Sequence, residues 1–198
     1  TVAVKTGYSD NYSSSNYVGV ADDGTIQYKW NENGTTSSAN GTLNPRIVLT
    51  YNDSKTTYTR ESTACSFSIP LNEEKARAAL NTVADRITVP ETVETAADLT
   101  SLPQYVLKTG VDASKVDYNS SNDLELWATA VWDPDRKDVI SIAKDNSKLF
   151  APYKVGVSLP EKDTTVTLTM TLTYTKNFSA THSDLTVTRT YTVNVKGS

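Results

Sequence analysis

Apolar and polar residues alternate with period two near the C-terminal end of the chain. Val166, Leu168, Met170, Leu172 and Tyr174 are interleaved with Thr165, Thr167, Thr169, Thr171 and Thr173, and after a polar turn Leu185, Val187, Tyr191, Val193 and Val195 alternate again. Such alternation predicts a hairpin whose strands each have one buried and one wet face. A rougher copy lies upstream. Ile47, Leu49 and Tyr51 alternate, residues 52–55 supply a turn, and 58–69 return. Both copies place Leu-Thr-Tyr before the turn and Thr-Arg after it, which predicts two related β-modules in tandem.

Other segments fill in the pattern. Strand-like pieces occur at 2–5, 17–20 and 25–30, and Asp22-Asp23-Gly24 reads as a tight hairpin turn because Asp-Gly tolerates positive φ. The polar stretch 31–44 reads as a loop. Over 73–87, the residues Ala76, Ala79, Leu80, Val83, Ala84 and Ile87 recur at helical spacing, which predicts one short helix over about 72–87. Asn72 is placed to cap it, Glu73 and Glu74 suit the positive end of its dipole, Arg77 and Arg86 are expected to face solvent, and Pro90 terminates the short stretch beyond the helix. Further short strands are expected at 98–103, 105–109, 124–132, 139–143 and 153–159. The expectation is an all-β chain of two modules, 1–71 and 72–198, joined by this helix.

The second module resembles the atrophied bacterial immunoglobulin-like domain. The resemblance is carried over about 73–196 by the order of its features: Ala78-Ala79-Leu80 with Val83 on the helix, Leu102-Pro103, a core tryptophan at Trp132, Val139-Ile140-Ser141, Leu159-Pro160, the 166–169 strand start, and the closing run 188–195. Asp133 to Asp138 replaces the family's serine-rich turn after the tryptophan, and 108–124 reads as an insertion. The resemblance implies tandem immunoglobulin-like β-sandwiches, the first more divergent, in a secreted or cell-surface bacterial protein. It also implies a non-catalytic spacer or adhesion module that acts as a monomer within a larger multidomain chain.

Composition narrows the chemistry. The formal net charge is -4 with 19 Lys and Arg against 23 Asp and Glu, without a basic cluster, so nucleic acid is not an expected partner. No apolar run approaches the ~18 residues of a membrane-spanning helix, so membrane insertion is not expected. Richness in Thr, Ser, Asn and Tyr leans toward export, whereas the single cysteine, Cys65, allows no internal disulfide and reads as a small buried residue.

Catalysis is not expected. The only imidazole, His182, falls in the turn between the last two strands, and one His with one Cys cannot complete a zinc site. Acids at Glu125, Asp133, Asp135 and Asp138 would need a shaped pocket to hydrolyse a glycoside. No resident cofactor is expected, with calcium as the exception weighed: Asp133, Asp135 and Asp138 offer three hard oxygen ligands on one loop, or else pair with Arg136 and Lys137 in water. Asn194 turns outward between Val193 and Val195, which argues against a buried isopeptide crosslink.

With 11 Tyr and 3 Trp in a polar chain, carbohydrate binding is the alternative function, because sugars stack on aromatic rings. The candidate platform is Tyr28, Trp30, Tyr118 and Trp127, with Tyr8, Tyr12 and Tyr17 as a further cluster. Trp127 and Trp132 are an odd number apart and should face opposite sides of their strand. The expected partner is a glycan or a host or cell-surface protein.

Overall fold

The computed structural model describes residues 2–5, 18–20, 25–28, 30, 42–43, 46–62, 67–68, 71–99, 102–120, 122–177 and 180–198. The chain is rich in β-strands and forms several sheets; one α-helix occurs among the described residues. It divides into two compact units, Thr1–Ala76 and Arg77–Ser198. No helix among the described residues is long and apolar enough to cross a membrane.

In the first unit, β1 (Val2–Lys5), β5 (Arg46–Asn52) and β6 (Thr57–Glu61) form an antiparallel sheet in the order β1-β5-β6. Two strand pairs accompany it: β2 (Val18–Val20) with β3 (Ile26–Tyr28), and β4 (Thr42–Leu43) with β7 (Phe67–Ser68). The β5–β6 turn is closed by Asp53, whose carboxylate accepts the amides of Lys55 at 2.8 Å and Thr56 at 2.7 Å. The hairpin is in the predicted place, but its faces differ from expectation. Leu49 is 54% exposed, Tyr51 66% and Tyr58 55%, and every residue of β6 is exposed. Alternation assigns side chains to faces but supplies nothing to cover a face. Tyr51 and Tyr58, opposite each other in register, therefore stack on one another at 6.2 Å. The expected turn at 22–24, the loop at 31–41, Tyr8, Tyr12, Tyr17 and Cys65 lie outside the described residues; β4 falls within the stretch read as loop.

The second unit is built on a five-stranded sheet in the order β8-β14-β13-β10-β9. Its strands are β8 (Thr92–Val93), β9 (Tyr105–Leu107), β10 (Leu124–Pro134), β13 (Thr164–Asn177) and β14 (Ala180–Val195). All neighbours are antiparallel except β8 and β14, which run parallel. A separate antiparallel pair comprises β11 (Ile140–Ala143) and β12 (Lys154–Val157). Register puts Ala130, Leu172 and Val187 in one row and Trp132, Met170 and Arg189 in the next. On this face Val166, Leu168, Met170, Leu172, Tyr174, Val193 and Val195 are fully buried. Each of the Val, Leu and Met side chains among them stabilises the fold by about 1.5–3 kcal/mol. The opposite face carries the threonines, and with them Val131 at 55% exposure.

The α-helix, α1 (Glu73–Arg86), follows the amphipathic pattern: Ala76, Leu80, Val83 and Ala84 are buried, and the Asn72 carboxamide accepts the Lys75 amide at 3.1 Å as an N-cap. Its second-unit portion lies over the apolar sheet face. Tyr191 and Arg189 project from that face, Tyr191 donating to the Ile87 carbonyl at 3.0 Å and Arg189 to Asn81 and Asp85, each at 2.9 Å. Arg77 and Arg86 are exposed, as expected, and each also bonds to a strand. Arg77 donates to the Thr186 carbonyl at 3.1 Å, and Arg86 pairs with Glu125 at 2.9 Å, because long stems on the helix flank reach across to the strands.

Two further expectations need correction. Residues 98–99, read as the start of a strand over 98–103, belong instead to a 3₁₀ turn over Ala96–Leu99, since the Asp98 carboxylate accepts the amides of Glu94 at 2.9 Å and Thr95 at 2.8 Å and so offers the backbone a local alternative to a ladder. His182 lies within β14, opposite Tyr174, rather than in the turn; the ladder continues through polar residues to Asn177 and Ala180.

Candidate functional site

A concave feature lies beside β9, in the second unit. A set of backbone bonds fixes the segment 102–105 against β10: the Trp132 indole donates to the Pro103 carbonyl at 2.9 Å, the Ala130 amide to the Gln104 carbonyl at 2.9 Å, and the Tyr153 amide to the Leu102 carbonyl at 3.2 Å. Tyr153 adds its hydroxyl, which donates to the Ala130 carbonyl at 3.0 Å. This frame presents Gln104 and Tyr105 along one wall.

The segment read as an insertion supplies another wall. Asp112 caps a 3₁₀ turn over Ala113–Lys115, accepting from the Ser114 amide at 3.0 Å and hydroxyl at 2.7 Å; these bonds hold its carboxyl below the usual carboxylate range. Asp117 then organises the next turn, accepting the Asn119 amide at 3.0 Å, and this turn carries Tyr118. Burial in the wall pushes the Tyr118 phenol up from its ordinary value.

Phe150 completes the arrangement. Its φ of 68° lies in the left-handed region, which a bulky side chain adopts at a cost of about 1–3 kcal/mol. The ring meets Tyr105 edge to face, with centroids 5.3 Å apart and planes at 90°. Between these walls is a cleft of about 270 Å³ lined by Pro103, Gln104, Tyr105, Ser114, Tyr118 and Phe150 among others, none of them charged. A second, more open hollow of about 340 Å³ borders the helix end, but its two cations are engaged: Arg86 with Glu125 and Thr109, and Lys108 with the Asn122 carbonyl.

Of the candidate sugar platform, Tyr118 lies in the cleft wall. Tyr28 and Trp30 belong to the first unit, half-buried, with ring centroids 5.5 Å apart and a 48° tilt that leaves no common flat surface. Trp127 is in β10, and its side chain lies outside the described residues. Trp132 is a core residue, packed against Tyr191 at 5.5 Å. Tyr105 and Phe150 escaped sequence reasoning, since one reads as an ordinary strand aromatic and the other as an isolated apolar residue. The positive φ at Phe150 had no sequence signal.

The three aspartates weighed for calcium are directed to different partners. Asp133 pairs with Lys137 at 2.8 Å, Asp138 takes a two-point contact from Arg136 at 2.7 and 3.0 Å, and Asp135 accepts the Thr167 amide at 2.9 Å. The Arg136 contact holds the Asp138 carboxyl below its usual range. Among the described residues no group of three or more His, Cys, Asp or Glu is gathered to hold a metal ion. Glu125 is tied to Arg86, and the His182 side chain lies outside the described residues.

No protein-family model matches the chain, and no curated protein matches it.

Proposed function

We propose that the chain is a non-catalytic spacer or adhesion segment of a secreted or cell-surface bacterial protein, made of tandem immunoglobulin-like sandwiches that transmit tension between neighbouring domains. The observation that carries this reading is the parallel pairing of β8 with the end of β14. The Asn194 amide donates to the Glu91 carbonyl at 2.7 Å and the Lys196 amide to the Val93 carbonyl at 2.9 Å. Once α1 is drawn off the sheet, a pull on the second unit enters through β8 and leaves through β14, and because the two strands are parallel it acts along both. Their bonds then share the force and break together, whereas a pull across an antiparallel hairpin end opens its bonds singly. Asp163 reinforces the exit, accepting the Gly197 amide at 3.0 Å and the Lys196 ammonium at 2.8 Å.

Single-molecule pulling on the full chain tests the reading, because forced unfolding reports the unfolding barrier. Lys196→Pro deletes the amide that bonds Val93 and should lower the unfolding force of the second unit; Lys196→Ala keeps that amide and loses only the Asp163 pair, so it should stay close to wild type. Equal forces for the proline variant and the wild type would sink the proposal.

A further inference from the structure

We propose that the cleft between Tyr105, Tyr118 and Phe150 binds a single neutral sugar ring, an activity beyond the tensile role and independent of it. Its walls come from three separate stretches of chain, and each is held by its own bonds: 103–105 by β10, 112–118 by the Asp112 and Asp117 caps, and Phe150 by its edge-to-face contact with Tyr105. The site is thus formed before any ligand arrives. Phe150 is the one described non-glycine residue with positive φ, and it lines this cleft. Backbone strain of that kind concentrates where a side chain is held for a ligand rather than for packing alone.

The lining chooses the ligand class. Tyr105 and Phe150 meet at 90°, so an occupant can lay its C–H face on one ring and touch the edge of the other, with Tyr118 as a third aromatic contact. Gln104 brings an amide, and Ser114, whose hydroxyl donates to Asp112, brings an oxygen that can still accept from an occupant's own hydroxyl. Among the described residues none that lines the cleft carries a charge, so an anionic or cationic ligand would lose its hydration without gaining a counter-ion there. Size sets the limit. A cleft of about 270 Å³ lies at the small end of ligand pockets, which run from about 300 to 1,000 Å³, and so suits one pyranose ring rather than an extended chain.

The test is a titration of the isotope-labelled full chain with the methyl α-glycosides of glucose, galactose and mannose, followed by amide shifts, with glucuronate as the charged probe and phenol as the apolar one. At least one glycoside should saturate shifts at Tyr105, Ser114 and Tyr118, and glucuronate should bind about tenfold more weakly or not at all. Tyr118→Ala should weaken binding about tenfold, equivalent to ~1.4 kcal/mol. Ala113→Trp, at an exposed lining position, should abolish binding while leaving the β13–β14 amides unmoved, which separates a blocked cleft from a failed fold. The proposal is overturned if none of the three glycosides gives saturable shifts at the cleft, if glucuronate binds as tightly as they do, or if phenol alone binds.

Discussion

The β5–β6 and β13–β14 hairpins share Leu-Thr-Tyr before the turn and Thr-Arg after it, yet they carry opposite energetic weight. In β13, Leu172 and Tyr174 are fully buried; their counterparts in β5, Leu49 and Tyr51, are 54% and 66% exposed. Likewise Arg189 is bonded to Asn81 and Asp85, while Arg60 lies on an exposed strand. The difference lies in what covers the face. The β13–β14 ribbon is flanked by β10 and β8 and its apolar side is roofed by the helix, whereas among the described residues the β5–β6 ribbon is flanked by β1 on the β5 side and stacks Tyr51 on Tyr58 in the open. The same local pattern therefore anchors one unit and merely decorates the other.

Truncating the matched leucines should separate the two hairpins most. Leu172→Ala should cost about 2–5 kcal/mol by leaving a cavity, and Leu49→Ala at most about 0.5 kcal/mol, both read by urea unfolding of the second and first unit respectively. Equal costs would show that the exposed face of β5 is covered in solution. Next come the matched arginines. Arg189→Ala should destabilise by about 1 kcal/mol, since its contacts are charge-assisted but a third of the side chain is solvated, and Arg60→Ala should be neutral. Gly110→Ala, at φ 82° with open space around it, isolates a backbone effect without packing; a loss of about 1 kcal/mol is expected, seen as a lower melting temperature.

The smallest effect is one of pH. Asp145 accepts the Ser147 hydroxyl and amide and pairs with Lys154, which lowers its pKa to about 2. Because the folded value is depressed, the associated stability is complete above the unfolded pKa near 3.9 and is lost as pH falls through about 2. Asp145→Asn should flatten the acid side of the stability curve over that window, measured by unfolding at stepped pH.

Much of the framework was legible in the chain. Helix α1, its Asn72 cap, and the inward positions of β13 and β14 follow from spacing alone, because 3.6-residue and two-residue periods fix which side chains share a face. Polar side chains concealed other features. Asp98 turned the start of an expected strand into a 3₁₀ turn, and the run around His182 extended a ladder whose hydrogen bonds are made by backbone and need no apolar signal. Of the candidate sugar platform, Tyr118 lines the cleft beside β9; Tyr105 and Phe150 join it because distant stretches of chain converge there.

By itself, the sequence determined the β-rich character, the helix and the alternation of each strand, since these depend on neighbours a few residues apart. Tertiary packing decided that the apolar face is covered in β13–β14 but left exposed in β5–β6, that β8 runs parallel to β14, and that Phe150 is held at positive φ against Tyr105. Burial, strand partnership and strain depend on what lies opposite a residue in space, and in a β-fold that partner is often far away along the chain.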